Sequence, residues 1–274
     1  MKYRYFFSVF ISILSIDALN AQSALLDRFN NKFVVIAHRG DHTNAPENTL
    51  ASYRNAIQSE VDFIEVDLRT TKDSQLVIMH DASLNRMTGV NAKVTDLNYD
   101  SIQKCKITAN THPEWGNHSI PTFNEVLSLC KNKINIYLDF KNASVKQAYE
   151  AIVAYGMEDN VLVYINAPQQ LTEWRKVAPN MPLMVSLPKK ITTSKELEEL
   201  VSQFKMDILD GDYSDYNPEI VTAAKKMNIP IWADIQSEQE GPIQWEKAID
   251  IGLRGLQTDH PNAIISYLKL HGLK

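Results

Sequence analysis

Short apolar runs alternate with segments of helical periodicity along nearly all of the chain after residue 33. Apolar runs bounded by polar or turn-forming residues predict buried strands, and apolar positions three and four residues apart predict amphipathic helices. The predicted strands are Val34–Ala37, Phe63–Leu68, Ile134–Leu138, Val161–Ile165, Leu183–Leu187, Asp207–Leu209, Ile231–Ala233 and Gly255–Gln257. The predicted helices are Phe123–Cys130, Val145–Ala154, Leu171–Ala178, Leu197–Phe204, Ile220–Met227, Trp245–Ile249 and Ala263–Leu270, with another that begins near Leu50 after a cap at Asn48 or Thr49.

Eight strands that alternate with helices in a chain of 274 residues predict an α/β fold, the TIM (β/α)8 barrel. A chain of this length buries a large core without stabilising disulfides or metals. The catalytic residues of such a barrel lie at the C-terminal ends of its strands. We therefore expect one barrel domain over residues 22–274, with its active site at that end.

The link between Asp67 and His80 departs from the alternation of strands and helices. It is too short for a helical crossover between parallel strands, so a β-hairpin is expected, with its turn at Lys72–Gln75. Reflection of the chain about this turn places His80 opposite Asp67. The second barrel strand is thus predicted to carry an antiparallel arm that returns a histidine to the strand end.

The segment Ala82–Ile120 interrupts the barrel pattern. It lacks a strong strand signal and is long for a loop between a strand and a helix. We expect it to form a small insertion after the first two strands, as a lid or subdomain.

The N-terminus has the pattern of a secretory signal peptide. Lys2 and Arg4 precede an apolar run over Phe6–Ile16, and Leu19–Ala21 supplies small or neutral residues for cleavage. The run is too short to span a bilayer, and the lack of a cysteine near the cleavage point argues against a lipid anchor. Residues 1–21 are predicted to be a signal peptide, and the mature protein is expected to be secreted or periplasmic.

Composition narrows the classes of partner. The formal net charge is −5, and removal of residues 1–21, which hold two basic residues and one acidic residue, changes it to −6. A mildly acidic chain argues against broad nucleic-acid binding and supplies no polybasic membrane patch. Cys105 and Cys130 either pair in an oxidising compartment or remain free thiols, and their spacing is not that of a metal site.

Side chains that can carry chemistry lie at the ends of the first two predicted strands. His38 and Arg39 follow the first strand, which suits an anion site. Glu65 and Asp67 are two residues apart on the second strand and so share a face. Two carboxylates on one face suit calcium or magnesium. With His80 returned by the hairpin, the two histidines form a candidate general base and general acid for phosphoryl transfer.

In their order along the chain, these motifs resemble those of the glycerophosphodiester phosphodiesterases. The matching segments are His38–Gly40, Pro46–Thr49, Glu65–Asp67, Thr71–Ser74, His80–Asp81, Leu84–Arg86, Ile120–Phe123, Glu125–Leu127, Ile231–Trp232 and Thr258–Pro261. Ser74 stands where the family has the glycine of a turn. The resemblance covers nearly all of the chain after residue 33 and implies the same TIM barrel.

The resemblance also implies roles for Asp139 and Lys141, which follow the predicted strand Ile134–Leu138. The family usually has glutamate, one residue and then lysine at this point. Asp139 is thus the expected third ligand, with Glu65 and Asp67, of a Ca²⁺ or Mg²⁺ ion, and Lys141 is an expected phosphate contact. Aspartate reaches about 1.5 Å less far than glutamate. Sphingomyelinase D, a divergent enzyme of the same barrel superfamily, is similar in having aspartate here.

Further roles come from the same resemblance. Arg39 is expected to neutralise phosphate oxygens, and Trp232 to cover the glycerol. Glu47 either contacts the substrate or only orients Arg39 and the start of the helix. From its position before Pro261, rather than from the resemblance, Asp259 is expected to cap the last helix and not to be a ligand. Four further histidines are expected on the surface or the lid, and they are His42, His112, His118 and His260.

The residues and the resemblance together predict a metal-dependent enzyme that hydrolyses glycerophosphodiesters to glycerol 3-phosphate and an alcohol, with acid–base catalysis by His38 and His80. One alternative is sphingomyelinase D-like or lysophospholipase D-like activity on a lipid with one acyl chain, which the insertion would accommodate. The other is a non-catalytic periplasmic binding protein for phosphorylated polyols, which would use Arg39 and Lys141 but has no need of two histidines. The sequence indicates neither the preferred alcohol nor the oligomeric state.

Overall fold

The computed structural model describes residues 24–30, 32–108 and 113–274. Its strands are β1 Val34–Ala37, β2 Phe63–Thr70, β3 Leu76–Ile78, β4 Lys106–Thr108, β5 Asn117–Ser119, β6 Asn135–Asn142, β7 Val161–Ile165, β8 Leu183–Ser186, β9 Ile208–Asp210, β10 Ala233–Asp234 and β11 Gly255–Thr258. Its helices are α1 Ala24–Phe29, α2 Leu50–Gln58, α3 Asn85–Thr88, α4 Tyr99–Ile102, α5 Phe123–Cys130, α6 Val145–Tyr155, α7 Pro168–Val177, α8 Ser194–Phe204, α9 Pro218–Lys226, α10 Pro242–Asp250 and α11 Pro261–Leu270. The predicted signal peptide at residues 1–21 and His112 lie outside the described residues.

Parallel strands form a barrel with helices between them. Hydrogen-bonded neighbours follow the order β10, β11, β1, β2, β6, β7, β8, β9. Isolated parallel bridges between Leu209 and Ile231 and between Asp212 and Asp234 then join β9 to β10. The structure therefore confirms the predicted TIM barrel, and no described helix is long and apolar enough to cross a membrane.

The hairpin arm is present, but its register differs by one residue from the prediction. Leu68 pairs with Ile78 and Thr70 pairs with Leu76, and the amide of Met79 donates to the carbonyl of Asp67 at 3.0 Å. Met79, not His80, thus lies opposite Asp67. The reason is a turn of odd length, Thr71–Gln75, in which Ser74 takes a left-handed φ of 68°. His80 lies beyond the end of β3.

Alternation along the strands divides the apolar side chains into two layers. One set points outward and packs against the helices. The other set fills the lower barrel interior, under α1, and consists of Val34, Ile36, Phe63, Tyr137, Leu162, Met184, Ile208 and Trp232 with Leu25 and Leu26. Residues two positions further along these strands face the C-terminal mouth. Except for β11, each barrel strand therefore has an apolar residue in the lower interior and, two positions later, a polar residue at the mouth.

Trp232 belongs to the floor of the barrel, which corrects the prediction that it covers the glycerol. Its ring centroid lies 5.1 Å from that of Phe63 and 6.1 Å from that of Phe29. A Cβ on Gly255 would lie 2.1 Å from Trp232 Cδ1, so only glycine leaves room for the indole. Trp232 also lines a cavity of about 570 Å³ formed by segments that precede the strands, at the end opposite the mouth.

The insertion forms a small subdomain with its own apolar cluster. It contains α3, α4 and the antiparallel pair β4 and β5. The cluster consists of Val77, Met79, Leu84, Val94, Ile102, Ile107 and Ile120. Because Val77 and Met79 belong to the hairpin arm, the arm joins the insertion to the barrel. Cys105 in this region and Cys130 in α5 are free thiols.

Candidate active site

A cavity of about 390 Å³ opens at the C-terminal ends of the barrel strands. It is lined by His38, Arg39, Glu65, Asp67, His80, Tyr137, Asp139, Lys141, Tyr164, Asn166, Asp210, Asp234, Gln236 and Gln257. Seven of these were singled out from the sequence as candidate catalytic, phosphate-binding or metal-binding residues, and the fold brings them together. Glu47 and Trp232 do not line the cavity.

The turn after β1 sets the positions of His38 and Arg39. Arg39 and Gly40 both have positive φ, at 54° and 82°. A Cβ on Gly40 would lie 2.6 Å from Ser52 Oγ, so glycine is required for the close approach to α2. The backbone N–H of Arg39 donates to Glu65 Oε2 at 2.7 Å. The turn thereby fixes one carboxylate of the neighbouring strand.

Glu65, Asp67 and Asp139 bring their carboxylates together on one wall of the cavity. One oxygen from each lies within 4.8 Å of the others, and all three residues are buried. Lys141 Nζ lies 2.5 Å from Asp139 and 3.2 Å from Asp67. Burial, and then the charges of Asp67 and Asp139, raise the pKa of Glu65 well above its ordinary value. Burial and the charge of Asp67 also raise the pKa of Asp139, despite Lys141.

These residues fit a divalent cation. The donors are carboxylate oxygens alone, which calcium and magnesium prefer. Asp67 Oδ1 is buried and, apart from the ion pair with Lys141 Nζ at 3.2 Å, has no hydrogen-bond partner among the described residues. Carboxylates crowded in a buried site repel one another, and a cation among them would relieve that repulsion.

Two amides that sequence reasoning did not assign to the site hold the carboxylates in place. Asn48 Nδ2 donates to Asp67 Oδ2 at 2.7 Å, and Asn166 Nδ2 donates to Asp139 Oδ1 at 2.6 Å. Asn48 was considered as a helix cap, but the cap is Thr49, whose side chain accepts from the amide of Ser52. A φ of 55° turns Asn48 toward the strand instead. The Pro46–Thr49 motif was the available signal for this role.

Each candidate catalytic histidine is hydrogen-bonded through Nδ1 to a carboxylate. His38 Nδ1 lies 2.7 Å from Asp259 Oδ1, and His80 Nδ1 lies 2.8 Å from Asp81 Oδ1. Such a bond orients the ring and places a proton on Nδ1, which leaves Nε2 of each ring for proton transfer.

The sequence predicted that Asp259 caps the last helix, and this prediction is wrong. The N-cap position of α11 is His260, and no side chain caps it. Asp259 Oδ1 also accepts from His42 Nε2 at 3.0 Å. Burial lowers the pKa of His42, but the hydrogen bond and charge of Asp259 outweigh it and raise that pKa overall. His42, expected on the surface or lid, shares a carboxylate with His38.

Glu47 contacts arginines. Arg39 Nη1 donates to Glu47 at 3.0 Å, and Arg86 makes two hydrogen bonds to Glu47, at 2.9 and 2.7 Å. Arg86 Nε also donates to Asp81 at 2.8 Å. Burial raises the pKa of Glu47, but the hydrogen bonds of Arg86 and the charge of Arg39 outweigh it, so the pKa lies below its ordinary value. A chain of charges thus links Arg39 to the carboxylate that holds His80.

The wall opposite the carboxylate cluster is also polar. Asp210, Asp234 and Gln257 come from the ends of the adjacent strands β9, β10 and β11, with Gln236 just after β10. Tyr137 Oη donates to Asp210 Oδ2 at 2.8 Å. None of these residues was identified from the sequence. The signal available for Asp210 and Asp234 was a polar residue two positions after an apolar residue that faces the barrel interior.

Known proteins resemble this chain in both sequence and structure. The family model described as "Glycerophosphoryl diester phosphodiesterase family" matches residues 38–263. A glycerophosphodiester phosphodiesterase of Caldanaerobacter subterraneus is 27% identical over 248 residues, which cover 88% of this chain and 100% of the relative. A human lysophospholipase D is 26% identical, with 85% of each chain covered. The structure of an Oleispira antarctica phosphodiesterase in complex with the product sn-glycerol-3-phosphate aligns with a TM-score of 0.74, at 21% identity, over 88% of this chain and 98% of that one.

Proposed function

The chain belongs to the glycerophosphoryl diester phosphodiesterase family of phosphoric diester hydrolases, and from this we propose that it cleaves glycerophosphodiesters to glycerol 3-phosphate and an alcohol by acid–base catalysis of His38 and His80. The observation that carries the proposal is the pair of histidines, each held through Nδ1 by a carboxylate, in one cavity with Arg39, Lys141 and three carboxylates. A binding protein for phosphorylated polyols has no use for two histidines held in this way, so we do not retain that alternative.

Glu65, Asp67 and Asp139 would hold a Ca²⁺ or Mg²⁺ ion, which supplies charge neutralisation for the phosphate and lowers the pKa of a bound hydroxyl. The strand position and the hydrogen bonds of Asp139 hold its short side chain beside the other two carboxylates. Asp67 and Asp139 pair across β2 and β6, and Asn166 and Lys141 both hold the Asp139 carboxylate. Calcium tolerates irregular geometry better than magnesium, so we propose calcium as the better activator.

The phosphate would be held by Arg39 and Lys141. Both side chains already contact the carboxylate cluster, with Arg39 Nε 3.6 Å from Asp67 and Lys141 Nζ 3.2 Å from it. A phosphate beside them would meet two cations, which offset the repulsion from the neighbouring acids. Glu47 contributes indirectly, because it is the hydrogen-bond partner of Arg39.

The first nucleophile is proposed to be the 2-hydroxyl of the substrate glycerol. Its attack closes a five-membered cyclic phosphate, and well-oriented intramolecular nucleophiles reach effective molarities of about 10⁵–10⁸ M. One of the two histidines removes the hydroxyl proton through Nε2, and the other protonates the leaving alcohol. Water then opens the ring, with the same histidines in exchanged roles.

An assay of the purified protein against a panel of glycerophosphodiesters, with and without chelator, tests the function. Turnover should require a divalent ion, and calcium should restore it best. Asp139→Asn should weaken activation by the metal, whereas Asp139→Glu should be tolerated or shift the preferred ion. Metal-independent turnover would remove the carboxylate cluster from the mechanism, and unchanged metal affinity in Asp139→Asn would remove Asp139 from the metal site.

A lysophospholipase D-like activity is the second candidate. It is supported by the similarity to a human lysophospholipase D and by the insertion beside His80, whose apolar cluster reaches the hairpin arm. Turnover of lysophosphatidylcholine compared with glycerophosphocholine separates the two. The proposed cellular location is secreted or periplasmic, which cell fractionation would test.

A further inference from the structure

The wall formed by Asp210, Asp234, Gln236 and Gln257, named here the acceptor wall, lines the cavity but has no part in the proposed reaction. Asp210 is 2% exposed and Gln257 is 4% exposed. Burying polar side chains without hydrogen-bond partners costs free energy of folding. A buried polar wall with no assigned role therefore indicates a ligand that supplies the partners.

Three oxygens of this wall lack partners. Asp210 Oδ1, Gln236 Oε1 and Gln257 Oε1 are buried and accept no hydrogen bond from the described residues. The donors of the wall are used within it, because Gln257 Nε2 donates to Asp234 Oδ1 and the Gln236 side chain also bonds to Asp234. Asp234 thus orients both amides with their carbonyl oxygens free. All three unpartnered atoms are acceptors.

The wall also holds two carboxyl groups, Asp210 and Asp234; His38, when protonated, lowers the pKa of Asp234 against a larger effect of burial. The cavity lining holds five carboxylates but only two cationic side chains, Arg39 and Lys141. Both cations contact the opposite wall, at Asp67 and Asp139. Among the described residues, no lysine or arginine forms an ion pair with Asp210 or Asp234. Burial and the charge of Asp234 raise the pKa of Asp210 well above its ordinary value, as expected for a carboxylate without a counter-ion.

We propose that the acceptor wall is a subsite for a primary ammonium group, and that the preferred substrate of this enzyme carries an aminoalcohol head group with a free amine. An ammonium group has three N–H donors and no acceptor, which matches three unpartnered acceptor oxygens. Its charge also compensates the buried carboxylates. A quaternary ammonium group, which has no N–H, cannot make these bonds. The cavity, at about 390 Å³, lies within the range of small-ligand sites.

This inference rests on the proposed function, and the test compares three head groups on the same glycerol phosphate. The substrates are glycerophosphoethanolamine, glycerophosphocholine and a neutral diester in which ethylene glycol replaces ethanolamine. For the wild-type enzyme, kcat/KM should be about 10- to 100-fold higher for the ethanolamine diester than for the neutral one, the usual effect of hydrogen bonds to a charged group. Choline should be no better than the neutral group.

Variants test whether the acceptor wall causes this preference for the ethanolamine diester. Asp210→Asn keeps an acceptor for Tyr137 and the shape of the side chain but removes the charge. It should lower the ratio of kcat/KM for the ethanolamine and neutral diesters by about tenfold. Gln257→Met, which removes a free acceptor, should lower it by a smaller factor. Asp250→Asn, an exposed change at the end of α10, is the charge-matched control and should leave the ratio intact. Circular dichroism and thermal unfolding confirm that each variant is folded.

The outcomes separate this inference from the function on which it rests. If the wild-type enzyme hydrolyses none of the three diesters, the proposed function fails and the subsite with it. If it hydrolyses the neutral and ethanolamine diesters equally well, the function stands and the ammonium subsite is wrong. If the preference exists but Asp210→Asn lowers both rates by the same factor, the acceptor wall does not recognise the amine.

Discussion

Replacing Asp259 by asparagine should impair catalysis through His38, although Asp259 itself contacts no substrate in the proposed reaction. The carboxylate lies 2.7 Å from His38 Nδ1. Asparagine keeps the size of the side chain but removes the charge and presents either an amide oxygen or an N–H to the ring. His38 then loses the partner that sets its orientation and the position of its Nδ1 proton.

The magnitude follows from the one bond that is lost. A hydrogen bond to a charged group contributes about 1.5–3 kcal/mol, and about 1.4 kcal/mol corresponds to a tenfold change in rate. We therefore expect kcat to fall by about 10- to 150-fold, with KM changed by less than about threefold. The loss should be smaller than that of His38→Ala, for which the removal of a general acid or base predicts about 10²- to 10⁴-fold.

A double-mutant cycle is the decisive assay. Because Asp259 acts through His38, Asp259→Asn should add almost no further loss of kcat in the His38→Ala background. Asp250→Asn, an exposed change at the end of α10, serves as the matched control for charge. Additive losses in the cycle, or a fall in thermal stability without a fall in kcat, would mean that Asp259 only supports the loop before α11.

Three further predictions concern the second histidine, the carboxylate cluster and the barrel floor. His80→Ala should lower turnover by about 10²- to 10⁴-fold without loss of folding, and near wild-type activity on a substrate with a poor leaving group would remove it from the acid–base pair. The pKa values of Glu65 and Asp139 are raised in the folded state, so above about pH 4 the folded protein binds more protons than the unfolded chain. The free energy of unfolding in chelator should therefore fall as the pH rises from about 5 to 8. A saturating divalent ion should reduce this fall in the melting temperature, and a melting temperature in chelator that is flat or rising over this range would contradict the crowding of the carboxylates. Trp232→Ala should destabilise the fold by about 3–5 kcal/mol, or roughly 6–20 °C in Tm, with KM unchanged at low temperature. A large rise in KM with an unchanged Tm would mean that the indole contacts the substrate.

The sequence determined the fold and the wall of the site that carries the carboxylate cluster, because both depend on local patterns. Apolar runs with a period of two and helices with a period of 3.6 predict their own elements, and eight such pairs have one common solution in a barrel. His38 was recognisable because it follows an apolar run, Glu65 and Asp67 because they share one face of a strand, and Asp139 through the resemblance to the family. The C-terminal ends of parallel strands meet at one mouth. Their convergence needed no knowledge of any contact between distant residues.

Only the tertiary structure decided which partner each of these groups has. Asp259 is 221 residues from His38 along the chain, and its neighbouring proline made a helix cap the better local interpretation. Trp232 was placed at a strand end by its position in an apolar run, yet Trp232 and Asp234 both face the barrel interior, and Trp232 lies one level lower, on the barrel floor, with Asp234 at the mouth. A single extra residue in the turn at Thr71–Gln75 moved Met79 opposite Asp67. Register and long-range pairing depend on how whole elements pack, so one residue of shift, which no local pattern encodes, changes the face on which a side chain lies.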